Sequence, residues 1–262
     1  MYSIESNNLS IAYDEITIVK GLNIKIPKGE ITIIIGPNGC GKSTVLKAIG
    51  RILKPKSGIV HLYGDDITSL TTKEVSKKMA ILPQSPQAPG GLTVGELVSY
   101  GRFPHQKGFS KLDSEDKKVV AWALKATKLT ELENIMVHSL SGGQRQRVWI
   151  AMALAQQTDL ILLDEPTTYL DLSYQLEVLK LLHRLNREEG CTVAMVLHDL
   201  NLAARFADYM LAIRDGQIIH HGNPKEVMTE EVLKETFNID AMIATDPRTG
   251  KPSCISYDLT NE

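Results

Sequence analysis

Ile31-Thr-Ile-Ile-Ile-Gly-Pro-Asn-Gly-Cys-Gly-Lys-Ser-Thr44 is the stretch that decides the fold. It opens on a β-branched run, Ile31 to Ile35, with the length and composition of a strand buried on both faces. It continues as Gly36-Pro-Asn-Gly-Cys-Gly-Lys-Ser43, which fills every fixed position of the phosphate-cradling pattern G-x-x-x-x-G-K-[ST]. Thr44-Val-Leu-Lys-Ala-Ile-Gly-Arg-Ile-Leu53 then reads as a helix. A strand, a Gly-rich turn and a helix in that order aim successive backbone N–H groups at one point. The helix dipole adds about half a positive charge there. In such a loop Lys42 reaches the β- and γ-phosphates and the Ser43 hydroxyl sits on Mg²⁺.

Two further strands are expected to end in charge. Leu160-Ile-Leu-Leu163 runs into Asp164 and Glu165, and Val193-Ala-Met-Val-Leu197 runs into His198. Open α/β sheets bind ligands beyond the carboxyl ends of their strands, so these ends are the place to look for chemistry. Asp164 has the hard oxygen that Mg²⁺ takes, directly or through water. Glu165 suits the polarising of an attacking water. His198 is placed to contact a γ-phosphate or that water; on position alone it is equally well a structural residue.

Leu140-Ser-Gly-Gly-Gln144 precedes a helix-forming run, Arg145 to Ala155. Ser141 and Gln144 have the S-x-x-Q spacing of a capping box, which makes Ser141 an N-cap. Gly142 and Gly143 beside the cap let a phosphate approach the amides closely. A well-capped helix with no ligand explains this spacing equally well when it is taken in isolation.

The order of these motifs is more specific than any one of them. Leu-Ser-Gly-Gly-Gln144, downstream of Gly36–Ser43 and shortly before Leu-Ile-Leu-Leu-Asp-Glu165, resembles the signature of an ATP-binding-cassette (ABC) transporter ATPase, and the likeness runs over essentially the whole chain. The resemblance implies an α/β fold of the P-loop ATPase kind. It would have a mixed sheet core, an antiparallel β subdomain and an inserted helical subdomain. It implies ATP held by Tyr13, Gly36, Pro37, Asn38, Gly39, Cys40, Gly41, Lys42, Ser43, Thr44 and Gln84. Tyr13 would stack on adenine, and Cys40 would serve as a backbone donor. Mg²⁺ would be held by Ser43, Gln84 and Asp164. Catalysis would rest on Lys42, Glu165 and His198, the last matching the family's switch histidine.

The resemblance also implies partners. Ser141, Gly142, Gly143, Gln144 and Asp171 would act in trans, on ATP held by a second copy in a head-to-tail homodimer. Many relatives have Ser-Ala-Leu-Asp where this chain has Thr168-Tyr-Leu-Asp171, and Tyr169 departs from that version. Integral membrane permease subunits would receive the pair on the cytoplasmic side of the cell membrane, with an extracellular substrate-binding protein acting indirectly. Gly101-Arg-Phe-Pro-His105, His198-Asp-Leu-Asn-Leu-Ala-Ala204, Phe237-Asn-Ile-Asp240 and Asp246-Pro-Arg-Thr-Gly-Lys-Pro252 look like the iron–siderophore and vitamin B12 importer branch, nearest its ferric hydroxamate (ferrichrome-type) members. Haem, B12 and zinc stay open as cargo.

Composition bounds the rest. The 262 residues suffice for one ABC domain with a sizeable insertion. A net charge of −2 offers no basic footprint, so no nucleic-acid partner is expected. This argues against an ABC protein of DNA repair or translation, and a P-loop kinase or GTPase would lack Leu140–Gln144. Cys40, Cys191 and Cys254 lie far apart without C-x-x-C spacing, which fits neither a disulfide framework nor a zinc site. No signal peptide is expected from Met-Tyr-Ser-Ile-Glu-Ser6. The longest apolar run, Val148 to Ala155, is far short of the roughly 20 residues that span a bilayer.

Along the chain, 1–84 and 140–222 read as the nucleotide-binding core, 85–139 as the helical subdomain, and 223–262 as a C-terminal helix and tail. Gly21–Gly29 alternates like one half-exposed strand. Thr71-x-x-Glu74 and Thr93-x-x-Glu96 have capping-box spacing, the latter opening a helix Val94–Tyr100. An amphipathic segment from Glu115 to Leu132 places Val119, Trp122, Ala123, Ala126 and Leu129 on one buried face. Thr229–Phe237 reads as a helix, and Lys251–Leu259 as a terminal strand or extended tail.

Overall fold

The computed structural model describes residues 1–106, 112–168 and 170–260. The chain divides into two compact units, Met1–Leu70 with Thr192–Glu262, and Thr71–Cys191.

The first unit opens with β1 (Tyr2–Tyr13), β2 (Ile16–Leu22) and β3 (Lys25–Pro27). The alternating run Gly21–Gly29 is not one strand. It breaks at Asn23 and Ile24, where side chains take over part of the ladder: the Ser6 hydroxyl accepts from Ile24 N–H, and Asn23 Oδ1 accepts from Asn8 N–H, while Ser6 N–H still donates to Ile24 O. The alternation itself survives the break, with Leu22, Ile24 and Ile26 all buried. β4 (Ile31–Ile35) is buried at every position, Thr32 included, as expected of a β-branched strand covered on both faces. Each of its isoleucines contributes about 2 kcal/mol by leaving water. α1 (Lys42–Ile49) starts two residues earlier and stops sooner than Thr44–Leu53. Gly50 ends it and Arg51 turns to φ 60°, leaving Ile52 exposed. β5 (Ser57–Leu62) and β6 (Asp65–Asp66) complete an antiparallel sheet in the order β2-β1-β5-β6, with β3 on β1.

The second unit contains α2 (Thr72–Lys78), β7 (Met79–Leu82), α3 (Val94–Ser99), α4 (Ser114–Ala126), α5 (Gly142–Ala155), β8 (Leu160–Leu163) and α6 (Leu172–Glu189). β7 and β8 pair in parallel. Complete capping boxes start α2 at Thr71, α3 at Thr93, α4 at Asp113 and α5 at Ser141. α3, α4 and α5 pack on one another, and Leu97, Val98, Val120, Leu124 and Val148 on these helices are buried. The segment Glu115–Leu132 is not continuous helix. Lys128 at φ 58° breaks it, and a single 3₁₀ turn follows at Thr130–Leu132. Leu129 is nonetheless fully buried. Trp122, expected in the subdomain core, is 37% exposed, because it lies beyond the stripe formed by Val119, Val120, Ala123 and Leu124. The helix expected at Val94–Tyr100 ends at Ser99, and a 3₁₀ turn continues over Tyr100–Arg102. An isolated bridge between Thr93 and Met136 adds one strand-like contact inside the otherwise helical stretch.

The first unit resumes with β9 (Thr192–Val196), α7 (Leu200–Phe206), β10 (Tyr209–Arg214), β11 (Gln217–Gly222), α8 (Pro224–Val227), α9 (Glu230–Phe237), β12 (Ile239–Thr245) and β13 (Pro252–Leu259). β9 sits one residue earlier than Val193–Leu197. β4 runs parallel to β9 on one side and β10 on the other, while β11 returns antiparallel on β10, giving a mixed sheet. Asp215 and Gly216, both at positive φ, make the tight turn between β10 and β11. The carboxyl-terminal residues form the β12–β13 hairpin. No described helix is long and apolar enough to cross a membrane.

Candidate functional site

The phosphate loop hangs from the end of β4, between two parallel neighbours. Gly36 has φ 154°, and a Cβ there would lie 2.0 Å from the Ile213 carbonyl oxygen. Only glycine fits, so the chain can turn out of the sheet at this point. Gly39 and Gly41 also have positive φ, and Gly41 caps α1 with no side-chain hydrogen bond. The amides at this helix start are therefore not covered by a capping side chain, unlike those of α2 to α5. Lys42 is 95% buried, and its Nζ donates to Gly36 O at 2.9 Å and Pro37 O at 2.8 Å. The ammonium is thus held at the loop mouth by the loop's own carbonyls. Cys40 is buried, and desolvation pushes its thiol pKa up even though nearby Lys42 opposes this, so the group is a neutral thiol. Its carbonyl accepts from Gly216 N–H at 3.0 Å, which ties the loop to the β10–β11 turn.

Tyr13 and His198 belong to the same unit. Tyr13 ends β1 at the β1–β2 turn and is 44% exposed, so it is a surface ring rather than a core tyrosine. His198 follows β9 and is exposed; next to it Asp199 caps α7, accepting from Leu202 N–H at 2.7 Å.

The second unit carries Asp164 and Glu165. β8 is fully buried, and Asp164 extends its pairing with β7 by donating its N–H to Leu82 O at 2.9 Å. Asp164 is 3% exposed. Glu165 takes φ 52°, an uncommon conformation for a side chain of its size. Two donors converge on its Oε2: the Gln84 amide nitrogen and the Thr168 hydroxyl, the latter at 3.0 Å. Gln84, far upstream just after β7, is thereby joined to Glu165. Among the described residues no cluster of His, Cys, Asp or Glu could hold a metal by itself. Within this unit the Gln84 amide oxygen and the Asp164 carboxylate are hard oxygen donors of the kind that fits Mg²⁺.

Ser141 caps α5 through both arms of its box: its hydroxyl accepts from Gln144 N–H at 3.3 Å, and Gln144 Oε1 accepts from Ser141 N–H at 2.9 Å. The two glycines differ. Open space surrounds Gly142, whereas a Cβ on Gly143 would meet the Tyr174 ring at 3.0 Å. Asp171 caps α6, accepting from Ser173 N–H and Tyr174 N–H, each at 3.1 Å, and from the Ser173 hydroxyl. The Tyr174 N–H and then the Ser173 hydroxyl hold its carboxyl below the usual range. Tyr169 lies outside the described residues.

Sequence reasoning missed the clamp at the far end of α5. Arg102 Nε donates to Asp116 at 2.8 Å, and its Nη1 donates to Ala155 O at 2.7 Å and to Gln157 Oε1 at 2.9 Å. His105 Nε2 bonds Gln156 O at 2.8 Å. Gly101 has no room for a Cβ, which would fall 2.2 Å from Met152 O. The Gly101–His105 motif therefore satisfies the orphan carbonyls that end the signature helix. The motif was visible in the sequence, but its long-range partners were not.

The ABC transporter family profile matches residues 19–168. The chain is 59% identical to the iron(3+)-hydroxamate import ATP-binding protein FhuC of Bacillus subtilis (strain 168), over 99% of this chain and 96% of that one. It is similar to an ABC transporter described as metal-chelate type and seen in an inward-facing conformation, with TM-score 0.83, 31% identity and coverage of 97% and 96%. It also matches the dimeric post-hydrolysis ATP-binding cassette MJ0796 bound to ADP and Pi, with TM-score 0.73, 34% identity and coverage of 84% and 98%. A loop that cradles phosphate, a helix opening on Ser141-Gly-Gly-Gln144 and this extent of likeness place the chain in the ABC transporter family, as one of its ATP-binding, ATP-hydrolysing cassettes.

Proposed function

We propose that this chain is the ATP-hydrolysing subunit of an importer for iron–siderophore complexes, ferric hydroxamates in particular. The observation that carries the reading is the 59% identity to a hydroxamate import ATPase over nearly the whole of both chains. The partition into a nucleotide-binding core (1–84 and 140–222), a helical subdomain (85–139) and a tail (223–262) belongs to the same reading. Two copies dock head to tail on integral permease subunits at the cytoplasmic face of the membrane, as peripheral proteins. An extracellular binding protein delivers the cargo, and no residue of this chain touches iron.

The roles follow from the chemistry of each group. The amides of Gly36 to Thr44 and the Lys42 ammonium bind the phosphates, and Lys42 exchanges its bonds to Gly36 O and Pro37 O for phosphate oxygens. The Tyr13 ring stacks on adenine. Ser43, Gln84 and Asp164 would hold Mg²⁺, which would supply neutralisation of the charge on the phosphate oxygens. Glu165 accepts a proton from the attacking water, and its bonds from Gln84 and Thr168 fix the carboxylate for that task. His198 orients the water or the γ-phosphate. Ser141, Gly142, Gly143 and Gln144 approach the γ-phosphate of the partner's ATP, and Asp171 acts in trans from the loop that crosses the dimer interface. ATP thereby closes the pair and hydrolysis releases it, because the closed state binds ATP better than the open one.

The test is uptake of radioactive iron in cells lacking this protein, with and without restored wild-type chain. Hydroxamate-bound iron is expected to be lost and then regained. Undiminished uptake of hydroxamate iron, or a defect confined to haem, vitamin B12 or zinc, would sink the substrate assignment.

A further inference from the structure

We propose that the hollow bounded by the carboxyl end of α4, by α5 and by α6 binds a small oxyanion of the diphosphate type. The cavity holds about 220 Å³ and is lined by Lys128, Arg147, Lys180 and Arg184 against a single carboxylate, Glu177. Four cations around so small a space repel one another, and an anion between them relieves that repulsion.

The hydrogen-bonding state of the two arginines points the same way. Arg147 Nε is buried with no hydrogen-bond partner, and its Nη1 stands 3.8 Å from Glu177, too far for a good hydrogen bond. Arg184 gives one N–H to Ala126 O at 2.9 Å and lies 3.9 Å from Glu188. A guanidinium has five donors, so both retain capacity, and the planar fork suits phosphate oxygens. The volume is below that of pockets that enclose drug-sized ligands. It suits a phosphate head, not a whole nucleotide.

The hollow is coupled to the signature by contact. Arg147 lies 6.0 Å from the centre of the Tyr174 ring, and that ring packs where a Gly143 Cβ would be. An anion that draws Arg147 toward the hollow shifts the surface against which Gly143 rests. The binding step is independent of what the cassette transports, so it is tested without hydrolysis or cargo.

Isothermal titration would use the full-length protein, its phosphate loop saturated with ADP, and inorganic diphosphate as the probe. One additional site per chain is expected, weakening with salt. Lys180→Glu with Arg184→Glu is expected to weaken it by about tenfold or more, and Arg147→Lys to weaken it although charge is kept. Absence of a site beyond the loop, or equal affinity in the double variant, would overturn the proposal. Lys128→Ala serves if the double variant does not melt cooperatively, with the same two outcomes. Co-sedimentation with phosphatidylcholine vesicles, with and without phosphatidic acid, then separates the sources. Binding to the phosphatidic acid vesicles that the double variant loses assigns the oxyanion to a lipid headgroup, and its absence assigns a soluble oligophosphate.

Discussion

Glu165 occupies left-handed backbone space, which costs a non-glycine residue about 1 kcal/mol or more. The residue stays there because Gln84 and Thr168 grip its carboxylate. Glu165→Gln keeps the shape and removes the carboxylate proposed as the base. ATP binding is expected to persist while hydrolysis falls by about a hundredfold or more, read by nucleotide titration and phosphate release. Normal turnover would remove Glu165 from its assigned role. At this scale much was legible. Lys42, Asp164, Glu165 and Ser141 announce themselves because a short apolar run or a fixed spacing places each at an element's end. The grip of Gln84 on Glu165 was not legible, since nothing local links residues so distant along the chain.

Helix starts marked by a capping-box spacing were readable, whereas the stops of α1 and α4 were not. Thr71, Thr93 and Ser141 open their helices as the spacing predicts, because a capping box is made within four residues. The stops at Ile49 and Ala126 depend on φ reversals at Arg51 and Lys128, residue types with no marked preference for them. The Arg102–Asp116 pair was equally hidden, and it is the chief polar tie between α4 and the end of α5. Both side chains are more than nine-tenths buried. Arg102→Ala strands a buried carboxylate and the Ala155 carbonyl, and is expected to cost about 3–5 kcal/mol in urea denaturation. A loss under about 1 kcal/mol would show that water replaces the guanidinium without penalty.

For the molecule as a whole, acid is the informative perturbant. Asp66, Glu96, Asp171 and Asp246 are all held below their ordinary pKa, each first by a backbone N–H, from Thr68, Thr93, Tyr174 and Arg248 respectively. The folded state therefore binds fewer protons than the unfolded chain. The stability these groups supply is complete above the unfolded carboxylate range, around pH 4, and is lost as pH falls through their folded values. Denaturation midpoints are expected to hold from about pH 7 to 5 and to decline below about pH 4; a flat profile would contradict this. The thiols set the opposite limit. Cys191 is pushed up to about 12 by burial, with Asp159 and Glu189 adding to the effect, so native protein near pH 8 is expected to resist iodoacetamide at that residue. The division at Leu70 and Cys191 was not legible, because compactness is a property of contacts between distant segments.

Lys42 leads to one more consequence. Its ammonium is already held inside the glycine turn by two backbone carbonyls, so those carbonyls compete with phosphate for it. The same carbonyls keep the cation from swinging out into solvent, so phosphate gains a fixed charge only by displacing two hydrogen bonds of the turn.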